Sequence, residues 1–374
     1  MLTVSQWSDA ERFLSSESAA EAGKWHNDRA PHTIAPMDAL SPLDPCQVVI
    51  LKWSAQSAKT EVVNNFAGYI IDQDPGSVLV VQPNERPMGE TWSKDRLAPM
   101  IRDTPALAKK VVAGKGRDSE NTILRKKFPG GQLTVAGASS PSQLASRPIR
   151  YLLCDEIDRW PTTKEGSPLQ LAIKRTQAFW NRKILMVSTP TFEGVGIDSE
   201  YENCLQHEWH LKCSHCSAYQ MPKFKHFTFD RDQSNGPTNI RYCCEVCGSE
   251  HTEGEQFKIK NTGKWVQTNE ASPMRKGYWM NQFASPFATW TETIAEFLLA
   301  KKDPLKLQVA INTVFAETWK GMGISLDWEI LRQRREVYPI NKSDRLVPAG
   351  VQLLTLVVDT QDTWLDCEVV GSNA

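Results

Sequence analysis

Five short apolar runs mark the first half of the chain: 47–51 (QVVIL), 77–82 (SVLVVQ), 132–136 (QLTVA), 151–155 (YLLCD) and 183–188 (KILMVS). Each has the length and near-continuous hydrophobicity of a strand buried on both faces. Helical spacing appears between them, at 62–71, 90–102 and 168–179. Strands alternating with helices predict an α/β domain with a largely parallel sheet over residues 45–203. Residues 1–44 are polar, contain one predicted helix near 5–21, and read as an N-terminal arm. From about residue 201 the pattern changes. Residues 204–265 are rich in Cys, His, Lys and aromatics with weak periodicity, and read as a small inserted module. Residues 266–346 read as a helical linker, with the clearest helical run at 296–319. Residues 347–374 hold two last apolar strands, VQLLTLVVD and LDCEVVG.

With 374 residues, 40% hydrophobic and 23% charged, the chain is long and apolar enough to bury a core, which excludes wholesale disorder. No run of 18 apolar residues exists, so no membrane-spanning helix is expected. The N-terminus lacks the basic and apolar regions of a signal peptide. The net charge of -1 leaves nucleic-acid binding to local patches. One such patch is 109–127, where seven Lys and Arg residues face only Asp118 and Glu120; Arg332, Arg334 and Arg335 form another. Both are also consistent with solvated surface. Nine cysteines, an odd count, argue against a complete disulfide framework.

The first strand runs into a polar loop and a helix through Lys52-Trp-Ser-Ala-Gln-Ser-Ala-Lys59-Thr60-Glu61. This is the layout of a phosphate-binding loop, with Trp53 and Ala58 where the G-x-x-x-x-G-K-[ST] pattern has glycines. Backbone N–H groups and the helix N-terminus would cradle phosphates, Lys59 would reach the β and γ phosphates, and Thr60 would hold Mg²⁺. The expected nucleotide-binding set is Ser54, Gln56, Ser57, Ala58, Lys59, Thr60 and Glu61. By itself the segment also reads as a polar loop with an exposed lysine, the blander and more common outcome. The strand 151–155 ends in Asp155-Glu156, where α/β sheets bind ligands. Asp155 is placed to hold Mg²⁺ and Glu156 to polarise an attacking water. The same pair would also open a helix. The strand 183–188 ends in Ser188-Thr189-Pro190, which can contact the γ phosphate or form a simple turn. The three pieces stand in the right order on separate strands and reinforce one another.

Cys213-Ser-His-Cys216 and Cys244-Glu-Val-Cys247 are paired C-x-x-C knuckles with 27 residues between them. Four thiolates at this spacing suit one tetrahedral structural Zn²⁺, with His215 and Cys243 as alternates. Buried free thiols or a redox pair are the other readings.

Taken together, SAQSAKTE (54–61), GASSPSQLASRPIRYLLCDEIDRWP (137–161), STPT (188–191), the two knuckles, FASPFATWTE (283–292) and VPAGVQLLTLVVDTQD (347–362) resemble the large subunit of GpA-type, lambda-like phage terminases. The resemblance covers residues 25–370 in the family's order. It implies a RecA/ASCE-like P-loop core, a zinc-ribbon module and the first strands of an RNase H-like nuclease. It implies Walker A roles for Lys59 and Thr60, Walker B roles for Asp155 and Glu156, and a coupling role for Ser188 to Pro190. It places Gln56 where such loops often carry Gln or Arg, and Asp359 as a nuclease carboxylate. The implied function is ATP-driven packaging of double-stranded DNA into a procapsid in the host cytoplasm. The implied cofactors are ATP, Mg²⁺ and structural Zn²⁺. The implied partners are a small terminase subunit, the portal protein and further copies in a ring, with no membrane. Two departures set expectations. The Ala58 methyl opposes a positive φ and close approach to phosphate. The later nuclease acids are absent, so the chain is expected not to cut DNA alone. A helicase-like ATPase and a non-enzymatic zinc-containing DNA-binding remnant are the competing readings.

Overall fold

The computed structural model describes residues 1–17, 21–111, 121–145, 147–233, 236–320, 351–360 and 365–372. They fall into two compact units, Met1–Lys320 and Gly321–Ala374. Residues 112–120 of the basic run 109–127, and all of Arg332, Arg334 and Arg335, lie outside the described residues.

The strands of the first unit are β1 (Phe13–Leu14), β2 (Gly23–Lys24), β3 (Val48–Trp53), β4 (Ser77–Gln82), β5 (Arg125–Phe128), β6 (Gly131–Gly137), β7 (Tyr151–Asp155), β8 (Lys183–Ser188), β9 (Leu205–Lys212), β10 (Tyr219–Gln220), β11 (Phe227–Arg231), β12 (Pro237–Cys243), β13 (Glu250–Thr252), β14 (Lys264–Gln267) and β15 (Arg275–Met280). One ten-stranded sheet runs in the order β10-β9-β15-β3-β8-β7-β4-β6-β5, with β14 also on β9. Every pairing from β9 across to β6 is parallel. The marginal strands β10, β14 and β5 are antiparallel. The central strands β3, β7 and β8 are buried along their whole length, as strands covered on both faces should be. Their apolar side chains divide between two core clusters, Val49 and Leu51 in one, Val48 and Ile50 in the other.

The sheet is larger than the sequence pattern implies. Residues 204–265 do not form one separate module, because β9 and β14 belong to the main sheet. Residues 266–346 are not simply a helical linker, because β15 pairs in parallel with the loop-bearing strand β3. This strand (RKGYWM) begins with two cations and is only partly buried, so it lacks the continuous apolar run that betrays its neighbours. What remains as a distinct module is 213–252, two cysteine knuckles around the small antiparallel sheet β11-β12-β13.

Residues 1–44 are likewise no detached arm. Helix α1 (Val4–Glu11) starts with a Thr3–Gln6 capping box. Its Trp7 and Val4, with Trp25 and with Met37 of helix α2 (Ile34–Ala39), are buried in the cluster that holds Val62 and Phe66 of helix α3 (Lys59–Asp72). The helix predicted near 5–21 ends at Glu11, and β1 pairs with β2 instead. Ser15 and Ser16 follow, and serines compete for backbone hydrogen bonds and weaken helices. The helix predicted at 168–179 is Pro168–Lys174, after which the Thr176 hydroxyl donates back to the Ile173 carbonyl.

In the second unit, β16 (Leu353–Thr360) and β17 (Leu365–Ser372) form an antiparallel hairpin, with Asp359 opposite Asp366 in the register.

Candidate nucleotide site and cysteine centre

The carboxyl ends of β3, β8 and β7 lie side by side, and the predicted loop, hydroxyl and acidic residues all sit there. The loop after β3 turns through two left-handed residues, Gln56 (φ 52°) and Ala58 (φ 62°). Ala58 therefore takes the conformation its methyl opposes, at a cost of about 1–2 kcal/mol. Helix α3 opens on Lys59 with no side chain capping it. Fourteen residues of helix thus end in uncapped N–H groups at the loop, which is a seat for an anion.

Lys59 bridges the strands. Its Nζ donates to the carbonyls of Trp53 (3.0 Å) and Ser54 (2.6 Å) and to Thr189 Oγ1 (2.9 Å). Burial lowers its pKa to about 8, against the charges of Glu156 and Asp155, which raise it. Asp155 accepts from Gln82 Nε2 at 3.0 Å. Burial and the Glu156 charge raise its pKa to about 6, opposed by that hydrogen bond and by Lys59. A buried cation and two carboxylates thus stand together at the strand ends. That donor set fits a triphosphate with a divalent cation, whose charges would replace the solvation both ionised groups lack. Glu156 sits just beyond β7 at φ 50°, half-buried, 3.5 Å from Arg159 Nε.

Several residues at the site carry no motif. Gln82, at the tip of β4, orients Asp155. Asp158 ties the acidic turn to the neighbouring strand: it accepts from Thr191 N and Oγ1 (both 3.0 Å) and from Ile197 N (2.9 Å), while its own N–H donates to Ser188 Oγ (3.2 Å). Gly196 permits this, since a Cβ there would lie 2.6 Å from Asp158 Cγ. On the other flank, His32 Nε2 lies 3.0 Å from the Ser57 carbonyl and Ser285 Oγ donates to the Gln56 carbonyl at 2.7 Å. The D-E-x-D spacing could have flagged Asp158; nothing in sequence marks His32 or Ser285 as neighbours of the loop.

The cysteines converge as the spacing predicts. Sγ atoms of Cys213, Cys216, Cys244 and Cys247 lie within 4.8 Å of one another, the one such group of potential metal ligands among the described residues. Cys213 to Cys247 is 3.8 Å and Cys216 to Cys244 is 3.7 Å. A tetrahedron with metal–sulfur bonds of about 2.3 Å has edges of about 3.8 Å. The two knuckles repeat one backbone geometry. Ser217 N and Gly248 N donate to the carbonyls of Cys213 and Cys244, and both residues are left-handed. Cys213 N and Cys244 N in turn donate to Ala218 and Ser249 carbonyls. Buried His251 places Nε2 3.4 Å from Cys213 Sγ, while His215 lies outside the ligand set.

A lysine-bearing loop ahead of a helix, an acidic strand end and a hydroxyl strand end, all on one edge of a mainly parallel sheet, define a P-loop-type core. Family models agree: "Phage terminase large subunit gpA, ATPase domain" matches residues 19–265, and "Terminase large subunit gpA, endonuclease domain" matches 275–373. The chain belongs to the gpA family of phage terminase large subunits. The terminase large subunit of Enterobacteria phage P21 is 26% identical over 395 residues, which is 99% of this chain and 60% of that protein. That of Escherichia phage lambda is 26% identical over 394 residues, with the same coverage. The chain thus spans about 60% of the length of the curated relatives it matches. The large terminase of bacteriophage HK97 shares the fold, with TM-score 0.52 at 11% identity over 98% of this chain and 67% of that one. The endonuclease match begins on β15, a strand of the first unit's sheet. Among the described residues, no helix is long and apolar enough to cross a membrane.

Proposed function

We propose that the chain is the ATP-hydrolysing motor part of a phage DNA-packaging terminase, acting on double-stranded DNA in the host cytoplasm. The observation that carries this is Lys59, held between its own loop and Thr189 beside the Asp155–Glu156 pair. With ATP bound, Lys59 exchanges the Trp53 and Ser54 carbonyls for β- and γ-phosphate oxygens. Ser54, Gln56, Ser57, Ala58 and Glu61 line the phosphate path, and the α3 N-terminus faces it. Thr60 and Asp155 would hold Mg²⁺, which would supply positive charge against the phosphate oxygens. Glu156 orients the attacking water and takes its proton. Thr189, losing its hydrogen bond from Lys59, senses the γ phosphate, and Ser188 to Pro190 pass that state on. Strand β8 stands between the loop strand and the acidic strand, which supports the RecA/ASCE-like reading. The cysteine geometry supports a closed structural Zn²⁺ site in a zinc-ribbon-like module. Asp359 is read as one carboxylate of an RNase H-like nuclease. DNA, a small terminase subunit, the portal and further copies of the chain in a ring are the partners of this reading.

The test is DNA-stimulated ATP hydrolysis by wild type, Lys59→Ala and Glu156→Gln. Turnover in wild type, none in either variant, and retained ATP binding in Glu156→Gln are expected. Turnover by Glu156→Gln would remove Glu156 from the mechanism. A folded wild type that binds zinc and DNA but never hydrolyses ATP would favour the non-enzymatic DNA-binding reading.

A further inference from the structure

Glu156 is weakly held by its own side chain. Its carboxylate meets Arg159 Nε at 3.5 Å, and that arginine is largely exposed, so the pair gives little hold. Its backbone is left-handed at φ 50°, in a residue that has a Cβ. Such a conformation persists only where the flanking structure fixes it. On the preceding side, Asp155 ends β7 and pairs with Val187 of β8. On the following side there is only the short turn Ile157–Arg159 and Trp160.

That turn is fastened at two points. Trp160 Nε1 donates to the Asp155 carbonyl at 2.9 Å, which bridges across Glu156 in the chain. The other point is Asp158. Its Oδ1 accepts from Thr191 N and Oγ1 and its Oδ2 from Ile197 N, donors that lie 33 to 39 residues further along. Its own N–H donates to Ser188 Oγ. All four bonds run from the acidic turn to the end of β8 and the loop that follows it. Thr191 stands two residues after Thr189, the partner of Lys59. The same loop is also fixed to β3, because Asp198 accepts from Gly194 N at 2.8 Å and from Lys52 Nζ at 2.5 Å. Two carboxylates, Asp158 and Asp198, thus tie together the three strand ends of the site.

We infer that Asp158 is a positioning residue for Glu156, an inference that rests on the catalytic reading of Glu156 given above. By locking the acidic turn to Thr191 and Ile197, it holds the Glu156 carboxylate in a fixed place relative to the Thr189 hydroxyl and Lys59. A carboxylate that accepts three donors on two oxygens fixes direction as well as distance, and an amide cannot copy it, because its nitrogen accepts nothing. Loosening this clamp moves Glu156 and leaves the phosphate-binding groups in place. Orientation of an attacking water suffers steeply from small displacements, whereas binding through Lys59 and the loop does not depend on Glu156.

DNA-stimulated ATP hydrolysis and calorimetric ATP binding, both on the full chain, test this. Asp158→Asn keeps the volume and sets an amide nitrogen against a backbone N–H. It should lower kcat by about tenfold or more, with KM and ATP affinity as in wild type. Thr191→Val removes only the hydroxyl bond and should lower kcat less, and Thr191→Ser, which keeps the hydroxyl, should restore it. Wild-type kcat in Asp158→Asn would overturn the inference. So would a fall in kcat matched by an equal fall in the fraction of chains that bind ATP, the mark of partial unfolding. If Asp158→Asn does not fold, the Thr191 pair decides: equal kcat in Thr191→Val and wild type would overturn the clamp. Turnover by Glu156→Gln, or none by wild type, would instead remove the catalytic reading of Glu156, and the positioning role would fall with it.

Discussion

Ala58 occupies the position where the loop pattern has glycine, and it is left-handed all the same. The surrounding structure over-determines it: Gln56 O is held by Ser285, Ser57 O by His32, and Ser54 O by Lys59. Ala58→Gly should therefore tighten ATP binding, read by calorimetry, by letting the backbone approach phosphate, while relief of the φ strain, about 1–2 kcal/mol, acts on the free and the bound loop alike; weaker binding would show that the methyl instead holds the loop in shape. His32 makes the site acid-sensitive. Burial holds its pKa down at about 4, against an ordinary 6.5, with the Ser57 contact opposing. The unfolded chain thus binds the proton first. The stabilising effect of the neutral ring is complete above about pH 6.5 and is lost as pH falls toward 4, by at most about 3 kcal/mol. His32→Gln keeps an N–H for Ser57 and removes the titration. Its melting temperature should fall less steeply than that of wild type between pH 6.5 and 4; parallel curves would exclude His32 as the cause.

Among the elements, β15 decides most. It closes the free edge of β3, sends its next residues to Ser285 at the loop, and anchors Trp279 Nε1 on the Ala316 carbonyl at 2.8 Å. Its Gly277 packs so closely on the helix Gly196–Glu202 and the residues after it that a Cβ would lie 2.3 Å from Cys204 Sγ and 2.7 Å from Tyr201 Cδ2. Gly277→Ala should cost about 1–3 kcal/mol, seen as a lower melting temperature. It should also weaken ATP binding, because the loop-supporting residues 281–285 follow directly; a variant that melts earlier with unaltered ATP affinity would detach β15 from the site. The apolar strands β4, β7 and β8 match the sequence reading residue for residue, because a strand buried on both faces must be continuously apolar. Strands β9, β14 and β15 escaped it because each is only partly covered and carries polar residues.

At the level of the whole molecule, the knuckles at 213–252 hang from β9, a strand of the main sheet. Metal there should stabilise the first unit as well as the module. Stripping zinc with a chelator, or Cys247→Ser, should lower the main melting transition by at least about 5 °C with about one zinc lost per chain. An unchanged transition after full zinc loss would mean that the module folds apart from the sheet. Sequence alone determined the loop, the acidic and hydroxyl strand ends and the cysteine pairs, because each is local: a few residues at set spacing on one strand or turn. The tertiary structure alone decided which distant residues complete them. Gln82 reaches Asp155, and His32 and Ser285 hold the loop from 25 and 229 residues away. Such partners are brought together by sheet order and packing, and neither leaves a spacing in the chain for a reader to find.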